Sequence, residues 1–135
     1  MRLPVRFRRL RRDARGVAAM EFGLVAPGLV LMIVGIAQLG ILFMANAGLQ
    51  QAVEEGARYA TIYPSPDSSA IIARVNDKQF GLDAANVTGP SVTPGTTSDG
   101  INYVDVTMIY SAPMNFVFFE TDPVTLSHTR RAYQP

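Results

Sequence analysis

The 135-residue sequence contains no cysteine and a single histidine, His128. Without cysteine, neither a disulfide framework nor a thiolate metal site can form. His128 lies in a predicted strand beside Arg130 and Arg131, and we interpret it as a surface strand residue. Gly95 and Gly100 flank a predicted turn and do not form a phosphate-binding loop. Because no catalytic constellation appears, the sequence predicts a protein that is not an enzyme and needs no metal or cofactor.

Charge is distributed in two blocks of opposite sign, although the net charge is only +1. Residues 1–15 contain seven arginines against Asp13 alone, a balance of +6. Residues 16–135 contain five basic and ten acidic side chains, a balance of −5. A basic block can indicate nucleic-acid binding. Beside an apolar span it instead favours a topology signal, because positive residues near a span stay in the cytoplasm. We therefore predict no nucleic-acid partner.

No charged residue occurs between Phe22 and Val53. The core of this run, residues 22–45, has Gln38 as its one strongly polar side chain. A helix of this length extends about 36 Å, which is enough to cross a hydrocarbon core of about 30 Å. We predict a single-pass membrane protein, with the N-terminus in the cytoplasm and the C-terminal region outside.

The same segment has an alternative interpretation as a secretory signal. A basic start, an apolar stretch and Ala45-Asn46-Ala47 together imitate a signal with an A-x-A cleavage site. The apolar stretch is longer than the usual roughly 7–15 residues of such signals. A discarded signal also needs neither Glu21 at its head nor a helix that continues beyond it. We favour the retained anchor and keep cleavage after Ala47 as the alternative.

Two sequence blocks resemble a known family. Residues 12–22, RDARGVAAMEF, followed by the apolar span, resemble a type IV prepilin-like processing site. Together with LQQAVEEGARYAT after the span, they are similar to the TadE-like family of minor pseudopilins from tight-adherence (Tad/Flp) pilus systems. The blocks cover about residues 11–61. The segment VTLSHTRRAY near the C-terminus is more weakly similar to the family's last strand.

The resemblance implies a processing site and a set of partners. Cleavage after Gly16 by a membrane-embedded aspartic prepilin peptidase would make Val17 the new N-terminus and Glu21 the fifth residue of the mature chain. Phe22 keeps the aromatic ring of the tyrosine in the related pilin motif and lacks its hydroxyl. Besides the membrane and the peptidase, the implied partners are other pseudopilins or pilus assembly components. The implied role is structural, in pilus assembly and cell adhesion, and the implied location is the bacterial inner (cytoplasmic) membrane.

The chemistry of the same residues is compatible with this role. Gly16 has no side chain, so an extended backbone can approach a protease closely there. Glu21 is an ionisable group at the edge of the hydrocarbon, where a charge is costly unless it is paired. The Val17 ammonium of a neighbouring subunit would provide a partner. Alternatively, Glu21 only complements the positive end of the helix dipole.

Helical periodicity continues past the span to Tyr63 and creates a stripe of small residues. Its members, spaced four apart, are Gly48, Ala52, Gly56 and Ala60. Such a stripe suits close packing better than exposure to solvent. The sequence leaves open whether it packs against this domain's own sheet or against the helix of another subunit.

The sequence pattern of residues 64–135 predicts a small extracytoplasmic domain. Asp67 or Ser68 can cap a short amphipathic helix that reaches Phe80. Three strands follow, at Ala85–Val92, Ile101–Ser111 and Val124–Arg131, with turns at Pro94-Gly95 and Asp99-Gly100. The second strand carries an apolar face for the core, formed by Val104, Val106, Met108 and Tyr110. A loop rich in phenylalanine, with Phe116, Phe118 and Phe119, either folds back into the core, which we favour, or faces the membrane or a partner subunit.

These elements predict a pilin-like α+β protein in three parts: a basic cytoplasmic leader (1–16), a transmembrane and spine helix (17–63, with the span at about 22–45) and the small domain (64–135). The first predicted function is a TadE-like minor pseudopilin. The second is a membrane-tethered extracytoplasmic binding or scaffold module that is not built into a pilus. Cleavage after Gly16 distinguishes the two, because it removes the basic leader.

Overall fold

The computed structural model describes residues 14–135, so most of the predicted leader lies outside the described residues. The elements, in chain order, are helix α1 (Ala14–Ala60), helix α2 (Ser68–Lys78), a 3-10 turn (Ala84–Asn86) and strands β1 (Val87–Thr96), β2 (Asn102–Asn115) and β3 (Glu120–Tyr133). The strands form one antiparallel sheet in the order β1-β2-β3. The predicted α+β class, with a long helix, a short helix and an antiparallel sheet, is confirmed.

Helix α1 is 47 residues long and continues through Pro27. At about 1.5 Å per residue it extends roughly 70 Å, about twice the thickness of a bilayer core. It ends at Ala60, slightly before the predicted end at Tyr63, and the Thr61 hydroxyl donates to the Arg58 carbonyl at 2.8 Å. This bond satisfies one of the carbonyls left free at a helix C-terminus.

Helix α2 begins where the sequence predicts. The Asp67 carboxylate accepts a hydrogen bond from the backbone N–H of Ala70 at 2.8 Å, the usual geometry of an N-cap. Ile71 and Val75 lie one turn apart and are fully buried. Val75 packs directly on Gly56 of α1, so α2 lies against the C-terminal half of that helix.

The core lies between the C-terminal half of α1, helix α2 and one face of the sheet. The predicted apolar face of β2 is confirmed, since Val104, Val106, Met108 and Tyr110 are all at most 5% exposed. On α1, Leu49 is among the largest side chains with no exposed surface. Burying one such side chain stabilises a fold by about 1.5–3 kcal/mol. The C-terminal half of α1 is therefore part of the domain's core.

Strand β1 differs from its prediction. It was predicted to end at Val92 before a turn at Pro94-Gly95, whereas it runs to Thr96 and the turn lies at 97–101. β1 is an edge strand, where a proline without an N–H is tolerated because no further strand needs that donor. Gly95 lies directly beneath the Tyr103 side chain, and a β-carbon there would require that ring to move.

Strands β2 and β3 are both longer than predicted. Their pairing extends to Asn115 and Glu120, so the predicted phenylalanine-rich loop shrinks to the four residues 116–119. Pro113 lies in a register shift between Ala112 and Met114, which absorbs the residue that cannot donate a hydrogen bond. The sequence predicts that the second strand ends at Ser111, just before Pro113. This prediction is wrong because a proline at a register shift has the same local sequence as a proline that ends a strand.

Candidate functional site

The predicted processing residues lie together in the first turns of α1. Gly16 has no atom within 4 Å of where a β-carbon would be. Val17 is 56% exposed, Phe22 is 71% exposed, and Glu21 is also exposed. Within residues 14–135 the folded domain therefore leaves this segment open to another protein. Because the Gly16–Val17 bond is helical here, an extended approach to a protease requires the first turn to unwind.

The N-terminal half of α1 is apolar and projects away from the domain. An 18-residue window of this helix has a mean hydropathy of 2.4, and only 6% of that window is buried. The core helix of a soluble protein would be mostly covered by its own fold. Large side chains are exposed along its length, among them Leu24, Val25, Met32, Ile33, Ile36 and Leu39. This half is long and apolar enough to cross a membrane.

The C-terminal half of α1 is covered by the domain, and the stripe of small residues lies at this contact. A β-carbon on Gly48 would collide with the Phe80 carbonyl oxygen, and one on Gly56 would collide with Val75. Ala52 and Ala60 have no exposed surface. The chain's own α2 segment thus occupies this stripe, together with β2, which reaches Gly56 through Val106. The sequence leaves the domain's own sheet and the helix of a second subunit as possible packing partners for the stripe. The structure shows the sheet together with α2, which the sequence did not suggest.

The tip of the β2–β3 hairpin contacts α1 where the exposed apolar half of this helix adjoins the half that the domain covers. The Gln38 side-chain amide donates to the Asn115 carbonyl at 2.6 Å. The ring of Phe116 lies beside Gly35, with a ring carbon 3.9 Å from where a β-carbon would be. The favoured prediction that the loop phenylalanines enter the core is wrong, because Phe118 is 65% exposed and Phe119 is 51% exposed. Sequence reasoning identified Gln38 but had no signal for its partner, 77 residues away.

A charged cluster joins the helix to β3. Glu54 lies 3.4 Å from His128 and 3.4 Å from Arg130. The sequence predicts His128 as a surface strand residue, whereas it pairs with Met108 in the sheet, faces the helix and is partly buried, with 28% of its side chain exposed. Within residues 14–135, no group of three or more metal-ligating side chains is placed to hold an ion.

The outer face of the sheet carries a second ion pair. Arg131 donates two hydrogen bonds to the Asp105 carboxylate, at 2.8 and 2.7 Å, and its guanidinium lies 3.8 Å from the centre of the Tyr103 ring. These hydrogen bonds lower the pKa of Asp105, because they favour its ionised form. The pair links β2 to β3 and has the geometry of a structural contact.

A long apolar helix that continues into a small domain defines an α+β protein with one helix long and apolar enough to cross a membrane. The model of the family described as TadE-like protein matches residues 16–58, so the resemblance found in the sequence is confirmed for that segment. The matched segment covers nearly all of α1, including parts of its exposed apolar half and of its covered half. The family is related to the Tad pilus. No curated protein and no solved structure matches the chain.

Proposed function

We propose that this chain is a minor pseudopilin of a Tad/Flp-type pilus, a non-enzymatic component of pilus assembly anchored in the bacterial inner membrane. The observation that carries the proposal is the family match over residues 16–58, which contain one continuous helix with an exposed apolar half and a half packed in a folded domain. A subunit of this shape can rest in a bilayer through the first half while it presents its domain outside.

The proposed orientation follows from the +6 balance of residues 1–15. Positive residues beside a span remain in the cytoplasm, so the domain lies outside. A reporter enzyme that is active only outside the cytoplasm, fused after Pro135, is expected to be active. A matched fusion to a reporter active only in the cytoplasm is the control. Activity of the cytoplasmic reporter alone would reverse the topology and remove the basis for a pseudopilin.

The prepilin peptidase is the first proposed partner, with cleavage between Gly16 and Val17. The exposed first turns of α1 support this, since neither residue is packed against the described part of the domain. Cleavage after Ala47 is less compatible with the fold. It would remove Ala45, which has no exposed surface, and Gln38, which anchors the hairpin tip.

Other pseudopilins or pilus assembly components are the second proposed partners, and Glu21 tests this role. Cleavage releases an ammonium at Val17 that enters an apolar helix bundle, where Glu21 of a neighbour would be its counter-charge. Leaving one charge buried and unpaired costs several kcal/mol, about 3–5 in measured cases. Glu21→Ala is therefore expected to be inserted and cleaved normally but to fail in assembly, and Glu21→Asp to be intermediate.

The measurement is crosslinking between subunits in membranes and a count of pili, in a host whose own copy has been removed. Cleavage is followed in the same samples, so that an assembly defect is separated from a processing defect. If Glu21 only complements the helix dipole, the loss is below about 1 kcal/mol. Normal crosslinking of cleaved Glu21→Ala would end the pairing hypothesis. Normal pili in a host without the chain would favour a tethered scaffold module outside the pilus.

A further inference from the structure

The tip of the β2–β3 hairpin, residues 116–119, is an apolar surface with no assigned role. Val117 is 60% exposed and Phe118 is 65% exposed. No charged residue occurs from Ser111 to Phe119, whereas the acidic Glu120 follows directly. A small domain rarely exposes adjacent large apolar side chains at a loop tip unless they contact a partner or a membrane.

The tip has a defined conformation. The backbone N–H of Phe116 donates to the Phe119 carbonyl at 2.9 Å, and the N–H of Phe119 donates back to the Phe116 carbonyl at 3.3 Å. The two rings stack with centroids 4.9 Å apart. These contacts close the turn and leave the side chains between them, at 117 and 118, directed away from the domain's core.

The position of the tip along α1 is set by two contacts. Glu54 reaches His128 and Arg130, whereas Gln38 reaches Asn115. From Glu54 to Gln38 the helix descends about 24 Å toward its N-terminus. The hairpin therefore points down the helix, and its tip lies beside Gly35.

The point at which the hairpin tip contacts α1 lies close to the outer boundary expected for a bilayer core. From Phe22, where the predicted span begins, to Gln38 the helix rises about 24 Å, which is within about 6 Å of the roughly 30 Å of a hydrocarbon core. Beyond Gln38 the domain begins to cover α1, and Ala45 has no exposed surface. A span that starts near Phe22 thus ends about one helical turn beyond Gln38, close to the point where the hairpin tip touches the helix.

We infer that residues 116–119 insert into the interfacial region of the outer leaflet, so that the domain contacts the membrane at a second point besides α1. The tip is continuous with the exposed apolar surface of the helix, where Ile36 is 62% exposed and Leu39 is 49% exposed. Aromatic rings are favoured at this depth. The carboxylates of Glu120 and Asp122 limit further insertion. The inference rests on the part of the proposed function that places α1 across a bilayer.

Tryptophan fluorescence tests this directly because the chain contains no tryptophan. Phe118→Trp, and Val117→Trp as an independent second reporter, are placed in the full chain reconstituted in phosphatidylethanolamine and phosphatidylglycerol vesicles. Lipids brominated at shallow or deep acyl positions are the quenchers. Val30→Trp reports on insertion of α1, and Ile101→Trp, in the hairpin at the opposite end of the domain and 50% exposed, is the matched control.

Both tip variants are expected to emit at shorter wavelength than Ile101→Trp and to lose most of their emission to shallow quenchers. Deep quenchers should act more strongly on Val30→Trp than on the tip. Quenching at the tip no stronger than at Ile101→Trp, with Val30→Trp quenched, overturns the inference and leaves the membrane anchor intact. Short-wavelength emission without quenching would indicate that a second copy covers the tip, which also overturns it. No quenching of Val30→Trp would refute both this inference and the anchored function.

Discussion

Gly48→Ala is expected to destabilise the domain by more than about 2 kcal/mol, although alanine is the better helix former. The added methyl group would collide with the Phe80 carbonyl oxygen, which belongs to the backbone and cannot rotate away. Overpacking in a well-packed core costs about 1–3 kcal/mol and occasionally more. The gain in helix propensity, at most about 1 kcal/mol, offsets only part of this cost. Denaturant unfolding of the detergent-solubilised chain, followed by near-UV circular dichroism, measures the change.

Gly40→Ala is the matched control in the same helix. No atom lies within 4 Å of the position of its β-carbon, so the substitution changes helix propensity without adding a contact. We expect its free energy of unfolding to be unchanged or slightly higher. Gly56→Ala, which would collide with Val75, should resemble Gly48→Ala. Equal stability of the Gly48 and Gly40 variants would show that the domain does not pack on the small-residue stripe.

Gly16→Val is expected to block processing, which is the largest effect that we predict. A prepilin peptidase must hold the backbone at residue 16 closely, and a β-branched side chain both prevents this approach and stiffens the residue. A misplacement of about 1 Å at a reacting bond can slow a reaction about 10²-fold. After co-expression with the peptidase, the parent chain should begin at Val17 while Gly16→Val keeps its full length. N-terminal sequencing and gel mobility of a C-terminally tagged chain measure this.

Gly23→Val is the control for that experiment. It makes the same substitution at another site in α1 with nothing within 4 Å, but outside the bond to be cut. We expect normal cleavage of this variant. Cleavage of Gly16→Val at the rate of the parent would mean that residue 16 does not border the scissile bond.

The long apolar helix and the core face of the sheet could be predicted from the local sequence pattern alone. An uncharged run of this length leaves few alternatives to a membrane helix. The two-residue alternation of Val104, Val106 and Met108 requires one buried face. Asp67 was recognisable as a helix cap because the cap is a local hydrogen bond. In each case the deciding interaction lies within a few residues along the chain.

The features that could not be predicted depend on contacts between distant segments. Pro94 and Pro113 resemble strand breakers until the edge position of β1 and the register shift between β2 and β3 at Pro113 are known. Glu54 faces His128, 74 residues away, and Gln38 meets Asn115. Nothing in the local sequence identifies these pairs, so neither the orientation of His128 nor the level of the hairpin tip could be derived.

The intact mass of the chain, extracted from the membranes of its own host, tests the central claim most directly. The proposed pseudopilin should have the mass of residues 17–135, because cleavage after Gly16 removes only the leader. The apolar half of α1 and the domain attached to it are then retained. The mass of residues 1–135 would mean that the chain remains a tethered protein with its basic leader. The mass of residues 48–135 would mean that the apolar segment is a secretory signal, and it would contradict the anchored pseudopilin altogether.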